Sequence, residues 1–335
     1  MLQITNPSNN ANFNPQKPVS FKGTATNEIV TVKLLADDQW DLGSDQVDTN
    51  GFWSITYSGF TKIGDRKITA IGFDSSNQEK AVTSIHILIS AELDKIIQVA
   101  ATSQIAHYNW LDRGVAPLGY IKGMAVVYGK VYCKLKAGDA AAKEMAKANI
   151  GNADKDALSY YDERFSKLGM NNDTAGVDTL RHLFVLLIGL GMRESSGCYC
   201  EGWDRSGTPQ PQTADTAEAG LFQTSYNARS ANPLLPNLFQ QYLANPSGYL
   251  EIFKEGVSCS DTDLKNAGEG DGKEFQRLSK ACPAFAAEFA AVGLRNVRKH
   301  WGPINRKEVE LRPECDAMLI EVQKVVDQFN LCPVL

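Results

Sequence analysis

Apolar residues recur along this chain with two different periods, and the change falls near residue 90. Before it, the segments Pro18–Thr24, Ile29–Leu35, Gly51–Tyr57, Lys67–Phe73 and Ala81–Ile89 are rich in β-branched and aromatic residues, and several alternate apolar with polar. That alternation predicts strands, and the Asn, Asp, Gly and Ser clusters between them predict turns. Regularly spaced short strands in about 90 residues predict a β-sandwich. After Ser90 the spacing becomes helical. Ala91-Glu-Leu-Asp-Lys-Ile-Ile-Gln-Val-Ala-Ala101 opens a helix with apolar residues three and four apart. Cys315, Met318, Leu319, Val322, Val325, Val326 and Phe329 keep that spacing near the C-terminus. The chain is therefore expected to be multidomain, with an all-β unit over residues 1–90 and a mainly α unit over 91–335.

One predicted helix stands out. It starts near Asp178, a suitable N-cap, and runs through Thr-Leu-Arg-His-Leu-Phe-Val-Leu-Leu-Ile-Gly-Leu-Gly-Met to Glu194. It is apolar on nearly every face, which predicts burial. A carboxylate at the end of such a helix, followed by Ser195-Ser196-Gly197, should emerge from the core at the wall of a cleft. Partial burial there would raise its pKa, as a proton donor working near neutral pH requires. An ordinary surface glutamate at a helix end would look the same on position alone.

Composition narrows the classes. The hydrophobic and charged fractions, 43% and 22%, are those of an ordinary globular protein. The net charge of −5 divides into −2 before residue 90 and −3 after it, so neither part has the basic balance of a nucleic-acid binder. A local basic stretch with an aromatic in it, Arg295 to Lys307, reads equally as a solvated helix end. The longest apolar run, Leu183–Met192, is about half the ~20 residues of a membrane span. Met1–Pro7 lacks a charged start and an apolar core, so export would follow signal removal or use a route that needs no signal. None of the seven cysteines, Cys133, Cys198, Cys200, Cys259, Cys282, Cys315 and Cys332, precedes residue 133, so all fall in the second unit. This predicts disulfides confined to that unit and an oxidising compartment, with at least one thiol left over. Cys198-Tyr-Cys200 is not a zinc spacing and the four histidines are scattered, so no metal or cofactor is expected.

Six segments carry resemblances to known families. In the first part, Gly23-Thr-Ala25, Val47-Asp-Thr-Asn-Gly-Phe-Trp-Ser54 and Ala70-Ile-Gly-Phe-Asp74 resemble bacterial immunoglobulin-like repeats, which implies an immunoglobulin-like sandwich with a spacer or adhesive role. In the second part, Gly191-Met-Arg-Glu-Ser-Ser-Gly197 and Ala219-Gly-Leu-Phe-Gln-Thr-Ser225 resemble the two active-site motifs of goose-type lysozymes and related lytic transglycosylases. Phe222 stands where those families usually carry Met. Gly202-Trp-Asp-Arg205 is similar to the Gly-Trp loop of the goose-type enzymes. The likeness spans residues 180–227 and implies a lysozyme-like domain.

By that resemblance Glu194 is the general acid and Asp204 the second carboxylate, holding the attacking water. An inverting hydrolase sets its two carboxyls about 6.5–9.5 Å apart to make room for that water. The aspartate that often follows the Gln is replaced by Ser225, and Asp215 is the candidate substitute; both aspartates also suit capping and turn duty. Gln223 is expected at the cleft floor, with Trp203, Ser225, Tyr226 and Asn227 as sugar contacts. A disulfide at Cys198 and Cys200 would pin the loop that carries Asp204; a nucleophilic cysteine there has no His close in sequence. Two Gly-, Pro- and aromatic-rich stretches, Asn109–Gly123 and His300–Asn305, are candidate cleft walls.

The implied activity is a muramidase cutting β-1,4 bonds of peptidoglycan. A lytic transglycosylase, a chitin- or chitosan-cleaving enzyme, and a wall-binding or adhesive protein without catalysis are the alternatives. With no recognisable signal, delivery by a secretion system or a phage, with an immunity protein as partner, is a further expectation.

Overall fold

The computed structural model describes residues 1–13, 15, 17–62, 64–89, 92–149, 151–203, 213–332 and 335. The chain forms two compact units, the first built mainly from Met1–Asp94 and the second from Lys95–Ala244 with Gly248–Pro333. An all-β sandwich thus precedes a helical region.

Eight strands form the sandwich: β1 Leu2–Asn6, β2 Ala11–Phe13, β3 Val19–Ala25, β4 Thr31–Ala36, β5 Trp40–Gln46, β6 Phe52–Tyr57, β7 Gly64–Phe73 and β8 Glu79–Ile89. One sheet has the order β1-β3-β6 and the other β2-β8-β7-β4-β5, with β2 parallel to β8 and the other pairs antiparallel. Alternate residues turn inward, so Phe21, Val32, Leu34, Trp53, Ile55, Ile68, Ala70 and Ile87 fill a single core. Gly23 pairs with Trp53 across β3 and β6, and a β-carbon there would sit 2.3 Å from the indole. The bare glycine lets the ring lie over its neighbouring strand. The alternation marks β3, β4, β6, β7 and β8 but not β1, β2 or β5. Those three bury few side chains; Leu2 is the buried residue of β1, and β5 (Trp-Asp-Leu-Gly-Ser-Asp-Gln) has Leu42 as its buried residue.

Among the described residues the helices of ten residues or more are α1 Glu92–Thr102, α2 Leu118–Lys136, α3 Val177–Ser195, α4 Leu234–Ala244, α5 Gly270–Ala281, α6 Pro283–Leu294 and α7 Pro313–Gln328. Helix α3 is buried continuously from Thr179 to Met192, as its all-round apolar sequence predicts. Its cap differs from expectation: Gly176 precedes the helix with φ 144°, and Asp178 lies in the first turn, bound to Arg181 at 2.6 Å. Helix α6 is buried over its whole length and includes Glu288, whose carboxylate receives Lys134 Nζ at 2.5 Å and the Tyr242 hydroxyl at 2.6 Å. A buried charge without such partners would be strongly destabilising. On α7 the predicted stripe is buried at Cys315, Met318, Leu319, Val322 and Val326, whereas Phe329 is 43% exposed because the helix ends at Gln328.

Two glycines let α3 be approached closely. A β-carbon on Gly189 would lie 2.3 Å from the Glu310 carbonyl oxygen, and one on Gly191 would lie 2.2 Å from the Tyr120 hydroxyl, which donates to the Ile188 carbonyl at 2.7 Å. Helix propensity alone favours alanine over glycine by about 1 kcal/mol. Overpacking against backbone has the opposite sign and costs about 1–3 kcal/mol. Gly189→Ala is therefore expected to lower the denaturation midpoint rather than raise it, and equilibrium unfolding in denaturant reads the sign directly.

Candidate active site

The end of α3 sets the geometry. Ser196 and Gly197 take left-handed backbone angles, φ 53° and 78°, and return hydrogen bonds to Met192 and Gly191. A further orphan carbonyl remains at such a terminus. Arg113 supplies its donors: Nε to the Met192 carbonyl at 3.2 Å and an Nη to the Arg193 carbonyl at 3.0 Å. Glu194 sits inside this closed turn, half-buried.

Beside it lies a tight hairpin over residues 219–224. Ala219 and Thr224 form its bridge, Gly220 takes φ 74° and Gln223 φ 43°. A β-carbon on Gly220 would come 2.8 Å from the Ser279 carbonyl oxygen, so both the angle and the contact call for glycine. The Ser195 hydroxyl reaches the Gly191 and Leu221 carbonyls at 3.0 and 2.9 Å, tying the hairpin to the helix one residue from Glu194. Trp301 Nε1 holds the Phe222 carbonyl at 2.8 Å from the far side. The two motifs singled out in the sequence thus meet at one place, and their serine and backbone carbonyls make the contact.

Burial is the largest influence on Glu194 and pushes its pKa up to about 8; the negative charge of Glu218 adds to it, against Arg306 and Arg113. Neither cation is free to pair with it. Arg113 is committed to the helix carbonyls, and the 61% exposed Arg306 is held by Glu308 at 2.7 Å. Glu194 is therefore a protonated carboxyl at neutral pH, able to donate a proton and return to the anion when it has done so.

The other candidates separate into groups. Asp204 lies outside the described residues. Asp215 is exposed, and its carbonyl receives the Asn227 amide at 3.0 Å. It is not among the charges that act on Glu194; Glu218, three residues on and half-buried, is. Gln223 is turned onto the hairpin itself, its amide nitrogen donating to the Gly220 carbonyl at 3.1 Å. Ser225 is buried and bonds the exposed Asn227 side chain at 2.7 Å. Tyr226 departs most from the expected sugar contact. Its ring packs against Phe239 and Phe275, Arg229 lies 3.6 Å over it, and its hydroxyl is bound to Asp271 at 2.9 Å. Aromatic area at that position is drawn into the core. Trp203 is half-buried, in a loop whose Gly202 runs against Asp263. Of the two cysteines before the loop that carries Asp204, Cys200 is bonded to Cys259 and Cys198 stays a thiol; Cys133 is bonded to Cys332. Of the candidate walls, Trp301 is buried behind the hairpin, and Asn109–Trp110 pairs with Gly114–Val115 before α2 begins.

No family model matches the chain, and no curated protein matches it. Among solved structures it is similar to fibronectin(III)-like modules of CbhA from Clostridium thermocellum, with 21% identity over 27% of this chain and 96% of that one and a TM-score of 0.23. It is also similar to a beta-1,2-glucanase from Parabacteroides distasonis (13% identity, 58% of this chain, 30% of that one, TM-score 0.20). A family 76 glycoside hydrolase from a bovine Bacteroides thetaiotaomicron strain is a third (10% identity, 76% of this chain, 62% of that one, TM-score 0.18). The chain spans less than two thirds of either hydrolase, and overlaps of this size say nothing about a shared site.

Arg113 and Glu218 went unmarked in the sequence. Arg113 is distant in the chain and acts through backbone carbonyls. Glu218 had a local signal, since it stands directly before the hairpin that Ser195 anchors. Because the carboxyl of Glu194 is about 8 in the fold against an ordinary 4.5, the folded chain keeps a proton that the unfolded chain loses across that window. Stability should fall as pH rises from about 4.5 to 8, and be unaffected below it. Glu194→Gln removes this dependence. It should be more stable than the parent at pH 8–9, by on the order of 3–5 kcal/mol if each pKa unit counts about 1.4 kcal/mol, and equal to it near pH 4. Paired denaturant titrations at the two pH values test this.

Proposed function

We propose that the helical unit is a lysozyme-like glycosidase that cleaves β-1,4 bonds of peptidoglycan, with Glu194 as its general acid. The observation that carries the reading is a carboxyl kept protonated near neutral pH by burial, at a helix end braced by Arg113 and Ser195. Protonating the glycosidic oxygen as the bond breaks requires a group with its pKa close to the working pH. The two disulfides fit action in an oxidising compartment, and no helix among the described residues is long and apolar enough to cross a membrane.

Hydrolysis with inversion needs a second carboxylate to activate water, and we assign it to Glu218 in place of Asp215, because Glu218 acts on Glu194 more strongly than Glu308, the other carboxylate that does so, which is already paired with Arg306. Asp204 is the rival for that role. The like charge serves the acid as well, because the negative charge of Glu218 makes ionisation of Glu194 costlier.

Purified peptidoglycan digested by the parent protein should release soluble fragments with reducing ends, seen by mass spectrometry, and Glu194→Gln should release at least about a hundredfold less. Anhydro-ended fragments would identify a transglycosylase, in which the sugar's own hydroxyl replaces the water. Release by the parent from chitin oligomers alone would move the substrate class. Equal release by parent and variant would remove Glu194 from the reaction.

The pH profile separates the roles of the two glutamates. For the parent, kcat/KM should fall as pH rises through about 8 as Glu194 loses its proton. Glu218→Gln removes a negative neighbour, so this alkaline limb should move to lower pH. If Glu218 is also the base, kcat should drop by on the order of 10²-fold or more. A shifted limb with kcat preserved would leave Glu218 as an electrostatic neighbour and return the base to Asp204.

A further inference from the structure

The sandwich has a cavity of about 330 Å³ of its own, close to the lower end of the range of about 300–1,000 Å³ seen for small-molecule sites. Its floor is apolar: Leu42 and Phe60 are each 6% exposed, and Tyr57 packs on Phe60 with ring centroids 4.9 Å apart. At its rim stands Trp40, 65% exposed although it is the largest kind of side chain the chain could bury. Asp37, Asp41, Lys62 and Arg66 complete the lining.

The wall that carries Trp40 is stiff. Asp37 and Asp38 both take left-handed angles, φ 52° and 56°, at the turn from β4 to β5. That turn is fastened to β7: the Asp38 carboxylate receives Lys67 Nζ at 2.8 Å and the Thr69 hydroxyl at 2.6 Å, and the Lys67 amide donates to Asp37 at 3.0 Å. Arg66 is fixed from below by the carbonyls of Asp65 and Lys62, at 2.9 and 3.1 Å. Asp41 is held by the Gly43 amide at 2.8 Å and Lys33 at 2.9 Å. Each carboxylate still has acceptor positions to offer, since an ionised carboxylate has about four.

The ligand chemistry follows from the lining. Two carboxylates balance two cations, so a strongly charged ligand gains nothing, and a purely aliphatic one would desolvate four ionic groups without partners. A neutral ring with one apolar C–H face and a fringe of hydroxyls meets both demands. It lies flat on Trp40, and its hydroxyls donate to Asp41 and accept from Arg66. We propose that the sandwich holds a non-catalytic saccharide-binding pocket, with Trp40 as the platform for a pyranose ring and Asp41 and Arg66 as hydroxyl partners. That the saccharide belongs to the glycan cut at Glu194 rests on the function proposed above; the pocket does not.

The test uses the full chain carrying Glu194→Gln, so that nothing is cleaved. Calorimetric titration with the tetramer of N-acetylglucosamine should give two sites per chain, and retention on insoluble peptidoglycan should be measured beside it. Adding Trp40→Ala should remove one site and lower retention at least tenfold. Trp40→Phe keeps an aromatic face and should recover much of it. Because Trp40 is exposed, the sandwich should fold in both variants, which circular dichroism and an unchanged melting temperature check. A single site that Trp40→Ala abolishes would uphold the pocket and count against the helical unit as a reader of that glycan. Unchanged stoichiometry and retention in Trp40→Ala, or no binding by the parent to either probe, would overturn the pocket.

Discussion

Burial of α3 from Thr179 to Met192 is the constraint on which the rest of the helical unit depends. A helix wrapped on every side can be approached only where its own side chains are absent, and Gly189 and Gly191 are those places: the Glu310 backbone and the Tyr120 hydroxyl occupy the space their β-carbons would need. Burial also removes water from the last turn, so its carbonyls have to find protein donors. Arg113, Ser195 and the amides of Ser196 and Gly197 fill that need. Arg113, and Ser195 through the Leu221 carbonyl, each bring a second piece of chain to the same point. The helix end is thereby the hub to which the 219–224 hairpin and the Arg113 segment are fastened.

The electrostatics of Glu194 follow from that assembly. Two arginines act on it, opposed by the charges of Glu218 and Glu308, and the arginines alone would make it an ordinary ionised carboxylate. The outcome is the reverse because both guanidinium groups have prior partners: Arg113 the helix carbonyls, Arg306 the carboxylate of Glu308. Arg306 is also open to solvent, where screening weakens its reach. Loss of water around Glu194 and the like charge of Glu218 meet no comparable opposition, and the proton stays.

The two units solve the problem of burial differently. The sandwich uses alternation and hides little at its edges, so β5 can be almost wholly polar and its turn can hold Trp40 out of the core. The helical unit buries nearly everything between α2, α3 and α6, including ions such as Glu288 and the Arg295–Asp156 pair at 2.9 Å, and ties its C-terminal stretch to α2 through Cys133–Cys332.

By itself the sequence determined what depends on near neighbours in the chain. Period-two alternation marked the five strands that bury one face, all-round apolarity marked α3, and an uneven cysteine distribution confined the disulfides to the helical unit. The end of that helix near Glu194 was legible because an apolar run giving way to Ser-Ser-Gly is a local signal. The tertiary structure decided what depends on distant partners. It drew Tyr226 into the core beside Phe239 and Phe275 instead of leaving it in a groove. It paired Cys200 with Cys259, 59 residues away, and it brought the charge of Glu218 to bear on Glu194. Each of these was settled by which side chains a folded core brings together and strips of water, a quantity that spacing along a chain does not encode.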